Sequence, residues 1–294
     1  MVWNMNEKKF YAPKSLEELQ KALSQKTYNT YIVAGGTDIA VGLNKNKIYD
    51  FSLIDLTKIK ELKEIKSNND YIEIGSCVKM VDLENDEIIN KYIPALSKAA
   101  SSIGSTQIRN LATIGGNIAN AAQCADTVAV LFTFDAEVEI MNSKGERRKE
   151  LVNDIIQGIG KTSLEDDEVI IKIILKGQKN NEYSSFAKIG ARKAVTISKI
   201  NACIKISLED DKIVDSKVYI GSIGVKAVRS KIIEETLKNK VLNKELKEEV
   251  LEVGSKQVLE SIPNRKSKDY KKVAVKGILD DIFKDIENRR NLNE

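Results

Sequence analysis

Periodicity divides the chain into blocks. Phe10 to Pro13 reads as extended, and Ser15-Leu16-Glu17-Glu18 has the form of a capping box opening a helix. Leu16, Leu19 and Leu23 put the apolar stripe of that helix on one face. Tyr31-Ile32-Val33-Ala34 predicts a short strand that ends in Gly35-Gly36-Thr37-Asp38, ahead of the apolar run Ile39 to Leu43. Phe51 to Leu56 predicts a further strand, Leu62 to Lys66 leads into another, and Tyr71 to Val78 alternates as a half-buried strand should. From Val81 to Ile103 the period turns helical, with Pro94 near a helix start and Leu96, Ala99, Ala100 and Ile103 on one face. Val128 to Phe134 is apolar, Ala136, Val138 and Ile140 alternate, and Asn142 to Gly145 is a turn. Val169 to Leu175 predicts a dense β-branched strand behind the acidic turn Glu165-Asp166-Asp167.

Gly177-Gln178-Lys179-Asn180-Asn181 has the composition of a linker. Beyond it, Ala202, Ile204, Ile206 and Leu208 alternate, Asp210-Asp211-Lys212 turns, and Ile213 to Ile220 returns, which is a hairpin. Two helical segments follow, Lys231 to Leu259 and Lys268 to Asn288, the second with Tyr270, Val273, Ala274, Ile278 and Ile282 as its apolar stripe. Strands and then helices predict an α+β second domain.

One stretch resists a core reading. Thr113-Ile114-Gly115-Gly116-Asn117-Ile118-Ala119-Asn120, continuing to Asp126, is made of small and polar residues with only two large apolar side chains, and Gly35-Gly36-Thr37-Asp38 echoes it upstream. Isolated Gly-Gly pairs are usually tight turns between strands. Adjacent glycines also remove Cβ atoms and permit φ > 0, so that backbone N–H groups converge on one acceptor. Two such loops predict a large phosphate-bearing ligand held from two sides.

Composition narrows the chemistry. A chain of 294 residues with 42% hydrophobic and 31% charged residues is long enough for two globular domains. The 47 basic and 43 acidic residues are interspersed, which leaves no footprint for nucleic acid. No apolar run approaches the ~18 residues of a membrane span, Met1 to Lys9 lacks a signal-peptide segment, and a cytoplasmic location is the expectation. Histidine is absent, which excludes Ser-His and Cys-His nucleophilic sites and imidazole metal ligands. Cys77, Cys124 and Cys203 are too few and too scattered for an iron–sulfur cluster. No catalytic side-chain set and no metal site are expected, so any redox chemistry has to come from an organic cofactor.

Ala34-Gly35-Gly36-Thr37-Asp38, Gln107-Ile108-Arg109-Asn110 and Thr113 to Asn120 with Asp126, in that order, closely resemble the FAD-binding subunit of the molybdenum hydroxylases. Ile54-Asp55-Leu56, Ile74-Gly75, and Phe186-Ala187-Lys188 with Arg192 extend the resemblance from Phe10 to about Phe283. It implies an α+β chain: a two-lobed FAD-binding domain of the vanillyl-alcohol-oxidase/PCMH type over 1–176, with lobes about 1–57 and 58–176. A C-terminal α+β domain like that of CO dehydrogenase flavoproteins would follow over 181–288. The resemblance places Val33, Ala34, Gly35, Gly36, Thr37, Asp38 and Ile39 around the FAD pyrophosphate, and Thr113, Gly116, Asn117 and Asn120 along the pyrophosphate and ribityl chain. It makes Asp126 an acceptor for a cofactor hydroxyl, and Lys188 a lysine near the flavin that supports the reduced anionic form. Arg109 is assigned a structural role and Cys124 a packing role.

By the same resemblance the chain would pass electrons from the [2Fe-2S] clusters of a small subunit through FAD to NAD⁺, and a molybdopterin-binding large subunit would carry out hydroxylation. Xanthine dehydrogenase is the family member expected. The alternatives are a stand-alone flavin oxidoreductase of this fold and an FAD-free binding or scaffold module. One departure stands out: Ala122-Gln123-Cys124-Ala125 occupies the place of a Ser-Pro turn in the family, which loosens the loop.

Overall fold

The computed structural model describes residues 9–46, 48–68, 70–192 and 195–292; the N-terminal segment expected to lack a signal peptide lies, apart from Lys9, outside them. Three larger sheets organise the chain, beside a two-stranded pair of Ile156–Gly158 with Lys161–Thr162. The first is a small parallel sheet in which Ser52–Asp55 lies between Phe10–Tyr11 and Thr30–Val33. The helix Leu16–Ser24 packs Leu19, Ala22 and Leu23 into its core. Ser15 caps that helix by accepting from Glu18 N–H, while the Glu18 carboxylate reaches back to Lys14 N–H, one residue earlier than a capping box requires.

The second sheet is antiparallel, with strands ordered Ile65–Asn68, Tyr71–Gly75, Val169–Lys176, Glu137–Met141 and Arg147–Leu151. Its central strand Val169–Lys176 is apolar on both faces because both are covered. Ile170, Ile173 and Leu175 join the helical core of the second lobe, while Val169 and Ile171 join the core of the first. One strand thereby fixes the two lobes to each other.

The segment expected as one helical stretch over 81–103 is three short helices, Met80–Asn85, Glu87–Tyr92 and Pro94–Ser101. Asp86 caps the second by accepting from Ile89 N–H, and Pro94, which lacks an N–H to donate, starts the third. The second glycine stretch is also a helix, Ile114–Asn120, where a loop was expected. The apolar run after it is the helix Asp126–Thr133, buried along its whole length.

The C-terminal domain is an antiparallel sheet ordered Glu182–Gly190, Ser198–Glu209, Lys212–Gly221 and Val228–Arg229. The hairpin turn is Asp210-Asp211, both with positive φ. The region expected as one helix over 231–259 is two, Lys231–Leu237 and Lys244–Ser261, and the last helix is Lys268–Asn291. That helix buries Ala274, Val275, Ile278, Leu279, Ile282 and Phe283; Tyr270 and Val273, expected in its apolar stripe, are exposed. One face of the sheet carries the helices. The other packs Phe186, Cys203 and Tyr219 onto the second lobe, with Tyr219 edge-on to Phe132 at 5.5 Å. Gly177 and Gln178, expected as linker, donate to Asp70 O and Tyr92 O and are tied to the second lobe. Among the described residues no helix is long and apolar enough to cross a membrane.

Candidate functional site

The strand Thr30–Val33 leads into a turn that must be glycine twice, for two different reasons. Gly36 has φ +71°, which glycine adopts without the penalty a Cβ would bring. Gly35 lies so close to the neighbouring segment that a Cβ there would stand 2.1 Å from the Leu111 carbonyl oxygen. Asp38 precedes the helix Ile39–Lys45, but its carboxylate caps none of the N–H groups. The N–H groups of Gly35, Gly36, Thr37, Asp38 and Ile39 donate to no acceptor among the described residues. Unpaired N–H groups in succession form a concavity for an anion.

Across from this turn stands the helix Ile114–Asn120. Its first-turn donors are already used: Ile114 N–H donates to Val78 O, Gly115 N–H to Ser76 O, and Gly116 N–H to the Thr113 hydroxyl at 3.2 Å. A Cβ on Gly115 would stand 2.6 Å from that of Ser76, so this glycine serves close packing. What the helix offers is side chains. Asn117 Oδ1 accepts from Thr127 Oγ1 at 2.7 Å, which leaves its amide nitrogen to donate elsewhere.

Between the two segments lies a cleft of about 440 Å³. It brings together Val33, Ala34, Gly35, Gly36, Thr37, Asp38 and Ile39 with Thr113, Gly116, Asn117 and Asn120. No cation is among its lining residues and Asp38 is the one charged group, so an anionic ligand would be held by backbone N–H groups. The cleft thus fits a pyrophosphate-bearing cofactor on one count, the five free backbone donors along its edge.

Asp126 and Lys188 lie elsewhere, in the contact between the second lobe and the C-terminal sheet. They pair with each other at 2.6 Å, both largely buried. Lys188 also borders a second cavity of about 550 Å³ rich in hydroxyl groups, among them Ser101, Ser102, Ser105, Thr106 and Thr196. Arg109 donates to Glu84 at 2.8 Å and to the Ile103 carbonyl, the structural part expected of it. Burial, with the Asp126 carboxylate adding to it, pushes the Cys124 thiol up, which keeps it protonated. Around it the turn holds without a proline: Ala121 has φ +45°, its carbonyl accepts from Gly160 N–H, and Ala125 N–H donates to Ala122 O.

A family model described as FAD binding domain in molybdopterin dehydrogenase matches residues 5–175. The chain belongs to this family. A second, the CO dehydrogenase flavoprotein C-terminal domain, matches residues 185–286. The chain is 34% identical to the nicotinate dehydrogenase FAD-subunit of Eubacterium barkeri, over 96% of this chain and 97% of that one. It is 32% identical to the xanthine dehydrogenase FAD-binding subunit of Escherichia coli O157:H7, over 80% of each. In fold it is similar to a chain of carbon monoxide dehydrogenase from Hydrogenophaga pseudoflava, with a TM-score of 0.84, 22% identity, and 98% of this chain and 99% of that one covered. The chain is therefore the FAD-binding subunit of an oxidoreductase, and an FAD-free scaffold is set aside.

Sequence reasoning missed two sets of residues. Ile32, Gly42, Ala112 and Ala119 also line the cleft; Gly42 could have been found, because it stands one helical turn after Asp38. Ser198 and Asn201 surround Asp126; both are buried, in a strand that also carries Lys199, Lys205, Ser207 and Glu209, so their polarity alone did not mark them out.

Proposed function

We propose that this chain is the electron-transfer subunit of a multi-subunit molybdenum hydroxylase acting on an N-heterocyclic substrate, of the kind named for its nicotinate and xanthine dehydrogenase relatives. The observation that carries the reading is the run of free N–H groups from Gly35 to Ile39, facing Thr113, Asn117 and Asn120 across the cleft. Those N–H groups would hold the FAD pyrophosphate. The Thr113 hydroxyl and the two asparagine amides would orient the adjoining chain of hydroxyls. When bound, FAD supplies one- and two-electron transfer that no side chain here can perform. This chain's own task is then to bind the cofactor, fix its orientation and shield it from water.

Electrons would arrive from the [2Fe-2S] clusters of a small subunit and leave to NAD⁺. The substrate would be hydroxylated on a molybdopterin-binding large subunit, in a cytoplasmic complex. The absence of histidine and the three dispersed cysteines are in keeping with that division of labour. Co-expression with the two partner subunits, followed by cofactor analysis, tests it. One FAD per chain, bleaching of the flavin on addition of the N-heterocycle, and NADH formation are expected. A chain that oxidises the substrate alone, with no partner bound, would overturn the electron-transfer assignment.

A further inference from the structure

Two asparagines of the helix Ile114–Asn120 line the cleft, and the protein fixes the direction of one of them. The Asn120 amide makes no hydrogen bond to any described residue, so it is free to present either end. The Oδ1 of Asn117 accepts from Thr127 Oγ1 at 2.7 Å. Thr127 has no exposed surface and belongs to the next helix, Asp126–Thr133, which is buried along its whole length. It does not itself line the cleft. Between Asp126 and Thr133 it is the one polar side chain in an apolar run, Thr127-Val128-Ala129-Val130-Leu131-Phe132.

A buried hydroxyl has to place its proton on an acceptor. Among the described residues, Asn117 Oδ1 is the one acceptor that the Thr127 hydroxyl reaches. Turned end for end, the amide would aim its own N–H at a hydroxyl whose proton then had no acceptor. The bond therefore settles which end of Asn117 faces which way: its oxygen is held by the buried helix, and its two amide hydrogens are left for the cleft. No cation lines the cleft, so beyond the glycine turn a ligand oxygen meets a neutral donor of this kind.

We propose that Thr127 is a positioning residue of the cofactor site. It touches no ligand. By holding the Asn117 oxygen it makes Asn117 a fixed hydrogen-bond donor, which selects an acceptor oxygen, phosphate or hydroxyl, at that point of the cofactor. This rests on the assignment of the FAD site. It gives a binding role to a side chain that lies outside the cleft, and it gives the Asn117 contact a direction.

The test is the FAD dissociation constant of the full chain, stripped of cofactor and titrated, as wild type, Thr127→Val, Thr127→Ser, Asn117→Ala, Asn117→Asp, and Thr127→Val combined with Asn117→Ala. Thr127→Val keeps the shape and loses the hydroxyl; affinity should fall by roughly three- to tenfold, the worth of one net hydrogen bond. Thr127→Ser restores the hydroxyl and should bring affinity back to within about twofold of wild type. In the Asn117→Ala background Thr127→Val should change affinity by less than about twofold, because Thr127 acts through Asn117. Asn117→Asp puts an acceptor where the donor stood and should bind FAD no better than Asn117→Ala. Thr127→Ala takes the place of Thr127→Val if that variant does not fold, and the comparison of Ser with Val carries the test if Asn117→Ala binds too weakly to titrate. Equal losses from Thr127→Val in the two backgrounds would overturn the positioning role, as would full affinity in Thr127→Val. An Asn117→Asp chain that binds like wild type would overturn the direction of the contact. A wild-type chain that binds no FAD, or an Asn117→Ala chain that binds it as wild type does, would refute the site assignment and the proposal with it.

Discussion

The two Gly-Gly pairs look alike in sequence and do different work. Gly35-Gly36 lies in a turn whose N–H groups are left free, and the backbone itself is the binding surface. Gly115-Gly116 lies in a helix whose first N–H groups are already bonded, and there the backbone is scaffold while side chains face the cleft. Both first glycines are fixed by close approach, Gly35 to Leu111 and Gly115 to Ser76. The first contact closes the cleft from one side to the other; the second sets the helix on the second lobe. A shared motif therefore says that a backbone comes close to something, without saying whether that is ligand or protein.

Substitution should separate the two roles. Gly35→Ala places a methyl group 2.1 Å from a backbone oxygen, which no side-chain rotation relieves, and the turn and the Leu111 segment must move apart. The expected result is loss of FAD affinity by roughly 100-fold or more, equivalent to about 3 kcal/mol, in a titration of the purified chain. Gly115→Ala meets Ser76 at 2.6 Å, and neither residue lines the cleft. It should lower stability by about 1–3 kcal/mol, as overpacking does, while the folded fraction binds FAD within about threefold of wild type. Denaturant unfolding read beside FAD titration checks both. If the two variants lost FAD affinity equally, the contrast between backbone as surface and backbone as scaffold would be broken.

Much of the fold was legible because burial imposes a period. The strand Val169–Lys176 and the hairpin Ser198–Gly221 are apolar where they are covered, and both were read from that pattern. The helix Ile114–Asn120 was not, since two glycines and two asparagines are poor helix formers and packing decides the outcome. Thr113 three residues before Gly116 was the trace of its cap. The strand Glu182–Gly190 was hidden by Ser184 and Ser185, polar but fully buried. Arg147–Leu151 is an edge strand whose charges hide it. At the site, the cleft residues followed from the glycine segments, whereas the neighbours of Asp126 depend on how two domains dock, which no local pattern encodes.

Hydrogen exchange of the backbone amides, with and without FAD, addresses the central claim most directly. The amides of Gly35 to Ile39 have no acceptor among the described residues, so they should exchange fast in the free chain and slow markedly when FAD binds. Those of Ile114 to Asn117 are already bonded within the protein and should change far less. Slowing confined to 114–117, with 35–39 still exchanging fast in the bound state, would contradict the account and move the pyrophosphate to the second segment.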